Sequence, residues 1–560
     1  MEELRAGISA ILLIIVVAGI LFASPIAISE GAPNAGLASS QSPHDPIRID
    51  GDAEFTGENG VVSGSGTPSE PYVIEGWVVN ASAMNGIEIR ATTAHFVIRN
   101  VVILAGPFGW IGVFLEGAAN GKVESVEFIG TQGGIALHEA VNISLTNNRF
   151  VSNGEWSIYS EGSSNIYISG NRLSVSSGIL LFNSTTLHVA GNLVNSTGEA
   201  IIIIESSNIT LESNSVWDSE LAFQLVGVSN ATVRTNNVWD NRLGLILQES
   251  RNVIFEANAF IGSGINLEGH EPEHFVTHEI SRGNSVNGRP VYFYKDCSDE
   301  VLEDVPAGQI FVVGCVRVQI NDVQLIDVDV GIQIAFAEDL TLSGVNVSNA
   351  WRGIRAVRSR NISVQNSTLW SNDVGFSISD SDNVTLTDSR ISMNSEAGGR
   401  LSRSANVTIT RNTFSYNYVG VSLFEGVGPA RILHNDFIDN LEHGRVQDGS
   451  GTPWDGGYPD GGNYWSDYEG EDICSGPGQD SCPDPDGFGD TEYVIYRFYP
   501  YNDIRDRYPL IEPVDPRNAR PEVAAPLSTY LILAVTVTGV AFVATILLLW
   551  YRRTSGRKVE

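Results

Sequence analysis

The sequence predicts an all-β fold, a right-handed parallel β-helix solenoid of roughly 22-residue, three-strand coils with a C-terminal transmembrane helix, and three observations predict it. First, the text "SSNITLESNSV", Ser206 to Val216, recurs in altered form. With the Asn of "SNIT" as register mark, equivalent positions fall at Asn142, Asn165, Thr186, Asn208, Asn230 and Asn252, then at Arg317, Asp339, Asn361, Asn383 and Asn406, spaced 21 to 23 residues apart. Second, residues one and three positions after the mark are apolar (Ile143 and Leu145, Ile209 and Leu211, Ile362 and Val364), and those between are polar (Ser144, Thr210, Ser363). That is the period of a strand with one dry and one wet face. Third, like residues stand at fixed offsets. Apolar side chains lie eight positions after the mark (Phe150, Val216, Phe414) and small ones eight before it (Gly134, Ala200, Gly375), opening a third strand with Ile135, Ile201 and Phe376 inward. Six positions after the mark stand Asn148, Asn171, Asn192, Asn214, Asn236 and Asn258. Coils stacked about 4.8 Å apart place like on like, so this column predicts a ladder of amides in a turn.

Each element follows in chain order. Residues 1–29, apolar from Ala6 to Ile28, read as a signal peptide or an N-terminal membrane anchor, with Ala27 and Ser29 permitting cleavage before Glu30. A linker covers 30–46, an N-terminal cap 47–79 and β-helix coils 80–260. An irregular insertion fills 261–316, and coils resume over 317–450. Residues 451–513 form an acidic C-terminal cap whose aromatics, Tyr464, Trp465, Tyr468, Phe488, Tyr493, Tyr496, Phe498 and Tyr508, are available to cover the open end of the core. After a linker, 514–526, an uncharged run supplies a transmembrane helix at 527–551, and Arg552, Arg553, Arg557 and Lys558 place the tail 552–560 in the cytoplasm. The expectation is a cell-membrane protein with a single C-terminal anchor and a large extracytoplasmic domain.

With 66 acidic against 33 basic residues, a net charge of −33, the chain offers no basic face to nucleic acid. Outside the cytoplasm its four cysteines predict two disulfides, Cys297 with Cys315 and Cys474 with Cys482, rather than free thiols or soft-metal ligands. Eleven N-x-S/T sequons, at Asn80, Asn142, Asn183, Asn195, Asn208, Asn230, Asn346, Asn361, Asn366, Asn383 and Asn406, lie mostly at the register mark, where strand patterning alone produces them; some are expected to carry glycans.

Three groups bear chemistry. His270, His274 and His278 would share one face of a helix and invite a metal, but Pro272, Val276 and Thr277 argue against that helix and leave turn histidines on a loop. In the cap, Asp484, Asp486, Gly487 and Asp490 match positions 3, 5, 6 and 9 of a calcium-binding loop, while Cys482 and Tyr493 stand at positions 1 and 12; a Ca²⁺ staple over the cap is expected. Lastly, the outward column Gln333, Arg355, Ser377, with Arg352 and Arg358 nearby and Asp373 and Asp380 one coil on, makes a candidate binding face, surface ion pairs being the plainer reading. Tyr159, Leu180, Ile202, Gln224 and Ile246 form an apolar outward stripe that should be covered or bind something.

Both flanks of the array carry further text: "GVVSGSGTPSEPYVIEGWVV" from Gly60, "GGNYWSDYEGEDICSGPGQDSCPDPDGFGDTEYVI" from Gly461, then "DRYPLIEP", with "VNGRPVYFY" and "AGQIFVVGC" inside the insertion. Together with the repeats these motifs resemble the NosD-like, CASH-type β-helix surface proteins abundant in archaea, over roughly Ile47 to Pro513. The resemblance implies an extracytoplasmic β-helix related to carbohydrate-binding proteins, to sugar hydrolases and to an accessory protein of copper-site assembly. It transfers no catalytic residues. The chain holds only three methionines, Met1, Met84 and Met393, and no Cys/His/Met cluster suited to copper. Two function classes follow: a non-enzymatic, membrane-tethered protein that binds glycan or cell-envelope components, and a polysaccharide lyase or glycoside hydrolase working on the β-helix face.

Overall fold

The computed structural model describes residues 41–106, 109–174, 177–195, 198–447, 452, 454–495 and 504–518, and the chain divides into two compact units, 1–193 and 194–560. The expected N-terminal signal or anchor, the transmembrane helix and the basic tail lie outside the described residues. No helix among those described is long and apolar enough to cross a membrane.

In the first unit, parallel strands stack on three faces. One face comprises Ile47–Asp50, Ile87–Arg90, Val113–Glu116, Gly133–His138, Trp156–Glu161 and Ser177–Phe182. The second comprises Tyr72–Glu75, Phe96–Arg99, Gly121–Glu124, Val141–Thr146, Ser164–Ser169 and Thr185–Ala190. The third is built from short strands such as Glu127–Ile129, Arg149–Val151 and Arg172–Ser174. The predicted register holds: Ile143 pairs with Ile166 and Ile166 with Leu187, all buried. At the N-terminal end Val61–Ser63 folds antiparallel onto Tyr72–Glu75, and Phe55 stacks on Tyr72 at 4.5 Å between ring centroids.

The second unit repeats this plan. Ile209, Leu211, Val216 and Ile201 are buried. Ile202 lies between the core residues Ile201 and Ile203, pointing outward, yet it is only 7% exposed; Gln224 pairs beside it. Two long strands, Gln324–Ala335 and Asn346–Val357, run from one face into the next without a break.

The register mark has a physical reason beyond strand patterning. Every mark residue, from Asn142 (φ 58°) through Arg317 (φ 57°) to Asn406 (φ 53°), occupies the left-handed region. That region costs most L-residues about 1–2 kcal/mol, and Asn and Asp least, which explains why the column is mostly Asn. The buried ladder forms as expected. Asn148 Nδ2 donates to Asn171 Oδ1 at 3.0 Å and Asn171 to Asn192 at 2.9 Å; in the second unit Asn214, Asn236, Asn258 and Asn284 repeat the pattern. Each carbonyl oxygen also accepts the backbone amide of the preceding asparagine, as Asn171 does from Asn148 at 2.9 Å. A second ladder at another corner, Asn372, Asn394, Asn417 and Asn440, escaped the sequence reading.

Within the second unit one face ends early. The strand Ile265–Glu268 pairs with Leu243–Gln248, and among the described residues no further strand extends that sheet. An open strand edge must be satisfied, and here side chains do it. Gln309 Oε1 accepts Ile265 N at 3.0 Å, Gln333 Oε1 accepts Leu267 N at 3.1 Å, and Asp329 takes the amides of Gly244, at 2.8 Å, and Gly264. All three side chains are buried. The chain returns through a one-turn helix, Glu273–Val276, that the sequence reading argued against. Pro272 precedes it, where its missing N–H costs nothing.

Both disulfides form as expected. At the C-terminal end an aromatic column covers the core: Phe414 stacks on Phe437 at 5.1 Å, Phe437 on Trp465 at 4.6 Å and Trp465 on Tyr493 at 4.4 Å. Tyr496 and Phe498 lie outside the described residues. The buried Asp506 binds Asn463 N at 2.7 Å and Trp465 Nε1 at 2.9 Å. Residues 514–518, expected as linker, are instead tied to Asp436, which accepts Val514 N at 2.7 Å and Asn518 Nδ2 at 2.7 Å.

Replacing Ile209 by Asp buries an unpaired carboxylate and should cost at least about 3 kcal/mol in urea unfolding. Thr210→Asp, on the wet side, should stay within about 0.5 kcal/mol; equal losses would refute the register. A second expectation concerns pH. Burial pushes the Asp329 carboxyl from 3.8 up to about 7, so the folded chain keeps a proton that the unfolded chain releases. The stability this supplies is complete below the unfolded value and is lost as pH rises towards the folded one. Between about pH 4 and 7 the melting temperature of Asp329→Asn should therefore fall less than that of the wild type. Parallel curves would show that Asp329 is ionised in the folded protein.

Candidate functional site

The outward column of the longest sheet in the second unit runs Phe311, Gln333, Arg355, Ser377, Arg400, Ser422, Arg445 on successive strands, behind the core column that begins Ile310, Ile332, Ile354, Phe376. Because the two sets alternate along each strand, the sheet that closes the core presents the arginines outward. Gln333 is fully buried under the strand Ile265–Glu268, and the same strand takes Arg355. Its guanidinium donates to Asn266 Oδ1 at 2.7 Å and Leu267 O at 3.2 Å, and lies 3.7 Å from Glu268 Oε1. Burial lowers the Arg355 pKa to about 10.

Beyond that strand the face is open. Arg352 Nη1 donates to Ser377 Oγ at 2.9 Å, and its guanidinium sits 4.5 Å from the centre of the Trp351 ring. Arg400 pairs with Glu396 and lies over Phe424 at 5.1 Å. Arg445 binds Glu442 twice, at 2.7 Å each, over Tyr418 at 5.7 Å. Three buried polar atoms on this face have no hydrogen-bond partner: Arg352 Nε, Arg400 Nε and Ser422 Oγ. Burial lowers the Arg352 and Arg400 pKa values, Arg400 further by repulsion from Arg352 and Arg445.

At the covered end the strand and the sheet enclose a cleft of about 210 Å³ lined by Glu249, Glu268, His270, Arg355, Arg358, Asp380 and Arg403, among others. Arg358 donates to His270 O. Arg403 grips Asp380 with two bonds, at 2.8 and 2.9 Å, and holds that carboxyl below its ordinary value. Of the five residues the sequence grouped, Arg355, Arg358 and Asp380 line this cleft and Arg352 lies on the open sheet. Asp373 lines a separate hollow with Arg242 and Trp351, and accepts Ser395 Oγ at 2.8 Å. Sequence reasoning missed Arg400, Arg445 and their aromatic partners. For Arg400 the signal was available, since it follows the small-residue column at Gly398 by two positions as Arg355 follows Gly353; the equivalent position before Arg445 is His443, which breaks the column.

The cap carboxylates do not converge. Asp490 accepts Ile473 N at 3.0 Å and Cys474 N at 3.1 Å, Asp486 accepts Gly476 N and Phe488 N, and Asp484 accepts Ser475 Oγ at 3.3 Å. Among the described residues no group of three or more His, Cys, Asp or Glu could hold a metal ion. As arranged, Asp486 and Asp490 turn their oxygens to backbone amides and Asp484 turns to the Ser475 hydroxyl, so the three carboxylates do not gather around one point. The three histidines do not assemble either: His278 Nδ1 accepts Val253 N at 3.3 Å and its Nε2 lies 2.9 Å from His274 O, while His274 Nδ1 accepts the amides of His270 and Glu271. Burial lowers the His278 pKa to about 4, which keeps it neutral.

Comparison with known proteins agrees with this architecture. Residues 276–470 match a family described as periplasmic copper-binding protein (NosD), and residues 53–194 and 158–298 match the right handed beta helix region. No curated protein matches the sequence. Among solved structures, the chain is similar to a hyperthermoactive exopolygalacturonase from Thermotoga maritima, at 9% identity over 56% of this chain and 83% of that one, with a TM-score of 0.26. A mannuronan C-5 epimerase A-module from Azotobacter vinelandii aligns at 11% identity over 68% and 88%, TM-score 0.18. A mutant tailspike protein of E. coli bacteriophage HK620, in complex with pentasaccharide, aligns at 13% over 63% and 71%, TM-score 0.26. Overlaps of this quality carry no argument about chemistry. The chain is thus similar to right-handed β-helix proteins over residues 53–298 and NosD-like over residues 276–470.

Proposed function

We propose that this is a non-enzymatic, membrane-anchored extracytoplasmic protein that binds a glycan or another cell-envelope component on the outward arginine face. The observation that carries the reading is the pairing of guanidinium groups with aromatic rings along one open sheet, Arg352 with Trp351, Arg400 with Phe424 and Arg445 with Tyr418. Rings offer flat apolar platforms to the C–H faces of sugars, and guanidinium forks offer donors to hydroxyl and carboxylate oxygens. Tyr418 is 48% exposed and stands ready for such contact. Two disulfides and the periplasmic description of the matching family support an oxidising compartment.

The competing reading, a lyase or hydrolase, draws on Glu249, Glu268 and Asp380 around the cleft. Asp380 is a poor general acid there, because Arg403 keeps it ionised. The copper reading fits less well. All four cysteines are in disulfides, Met84 and Met393 are exposed at 55% and 58%, and no ligand set is gathered among the described residues.

The full chain in detergent should be retained on part of a glycan array without releasing soluble products from polysaccharides. Trp351→Ala should weaken retention roughly tenfold at an unchanged melting temperature. Product release at turnover rates would instead establish the enzyme.

A further inference from the structure

The chain that leaves the C-terminal cap returns to the side of the second unit. Asp436 accepts Val514 N at 2.7 Å, Asp515 N at 3.0 Å and Asn518 Nδ2 at 2.7 Å, Asn518 also donates to Thr413 Oγ1 at 2.9 Å, and Arg390 pairs with Asp515 at 2.7 Å. Arg390, Thr413 and Asp436 are register partners on the face of short strands, so the returning segment is fixed to three successive coils. Two positions along those strands lies the other outward column of the same face. Trp217, Trp239 and Ile261 pair in register, and Asn287 joins Ile261 to Ile326 by accepting Gly262 N at 2.9 Å and donating to Ile326 O at 2.8 Å. Ile326, Ser348, Trp370, Ser392 and Ser415 continue the column. None of these residues is charged. The first two indoles stack at 5.0 Å; Ile261 is 57% exposed and Trp370 38%, and at the corner just past Ser392 and Ser415 stand Met393 and Tyr416, each 58% exposed. On a neighbouring sheet the outward column Thr341, Ser363, Thr385, Thr408 is hydroxyl throughout.

We infer that this face of the second unit lies along the membrane, its apolar column seated at the lipid interface, so that the stack of coils runs parallel to the bilayer. This rests on the membrane-anchored reading above and adds an orientation to it. The course of the chain names the lipid as occupant. Eight residues, 519–526, separate Asn518 from the apolar run at Leu527, and eight residues reach at most about 29 Å. They start from the side of the stack, on the strands that carry Ser392 and Ser415. From Ile261 to Ser415 the column covers six coil spacings, about 29 Å, so a surface met near the tether meets the whole column once the unit lies down. Tryptophan and tyrosine suit that boundary, with an apolar body and a polar tip, and a line of exposed apolar side chains marks an interaction or membrane surface. A second copy is the poorer occupant. The chain carries a net charge of −33, and the exposed Asp218 and Asp240 follow the two tryptophans, so two such faces repel. Those charges also disfavour anionic lipid, which leaves an apolar contact that zwitterionic lipid satisfies. The arginine face lies around the corner, on the second halves of Gln324–Ala335 and Asn346–Val357, and stays open to solvent.

All four cysteines are held in disulfides, so one introduced thiol can carry an environment-sensitive fluorophore. The test uses the full-length chain in phosphatidylcholine vesicles, labelled through Ile261→Cys or, on the hydroxyl face, through Thr385→Cys, with and without lipid that bears a nitroxide just below the head group. Emission from position 261 should shift to the blue and be quenched at least about twofold by the nitroxide, whereas position 385 should show neither effect. Trp370→Glu, which touches neither the returning segment nor the expected anchor, should remove about half of the quenching at position 261. Melting temperatures check that each variant folds. An unquenched label at position 261, in chain that floats with the vesicles, would overturn the inference while leaving the anchored reading intact. Equal quenching at the two positions, or quenching at 261 indifferent to Trp370→Glu, would do the same, since the tether alone would then bring the label to lipid. A blue shift at 261 without quenching would assign the face to a second copy and overturn the lipid contact. Chain that fails to float with the vesicles would overturn both readings.

Discussion

The hydrogen bonding of each coil to the next, at the spacing of neighbouring strands, is the constraint on which everything else depends. At about 4.8 Å an inward or corner side chain has little room to differ from the one above it, so a corner that turns at one level must turn at every level. Asparagine answers that demand twice. At the register mark it tolerates the left-handed backbone, as at Asn208 (φ 57°) and Asn230 (φ 56°). Six residues later its amide both donates to and accepts from the neighbouring coils, as Asn236 does between Asn214 and Asn258. A buried amide with its partners in place has its desolvation offset by the hydrogen bonds it makes, and the apolar columns then fill the interior between the ladders.

The same constraint explains what was legible. Features that recur at a fixed offset could be read from the chain alone: the inward Ile209 and Leu211 and the first amide ladder; the aromatic closure at Trp465 was legible from the composition of the segment that follows the last coils. The sheet ending at Ile265–Glu268 could not, since its edge is satisfied by side chains distant along the chain, Gln309, Asp329 and Gln333. Nothing local in the text around residue 265 announces those partners. The cap carboxylates are ambiguous in the sequence for a related reason. Alternating Asp residues around a glycine suit a cation and suit tight turns equally, and the fold uses Asp486 and Asp490 for the turns. The candidate site was half legible. Arg352, Arg355 and Arg358 stood out as a cluster, but their separation into a covered cleft and an open face depends on the strand that overlies Gln333.

Function on such a scaffold is a matter of what a long, regular face presents. The core column fixes the backbone of every strand, so outward residues inherit a periodic geometry without further cost. Arginine can stand on that surface because aromatic neighbours and glutamates hold it, and a polymer with its own repeat is the natural counterpart of a repeating surface.

The side-chain closure over Ile265–Glu268 has a consequence for how the protein can change over generations. Where strands pair by backbone, adding or losing a coil preserves every contact, because any coil can follow any other. Gln309, Asp329 and Gln333 hold specific amides of specific residues, so a coil gained or lost between Gly244 and Gln333 would misalign them. Length is therefore free to drift in the regular coils on either side, whereas this join is inherited as a block, and with it the overlying strand that buries Gln333 and engages Arg355.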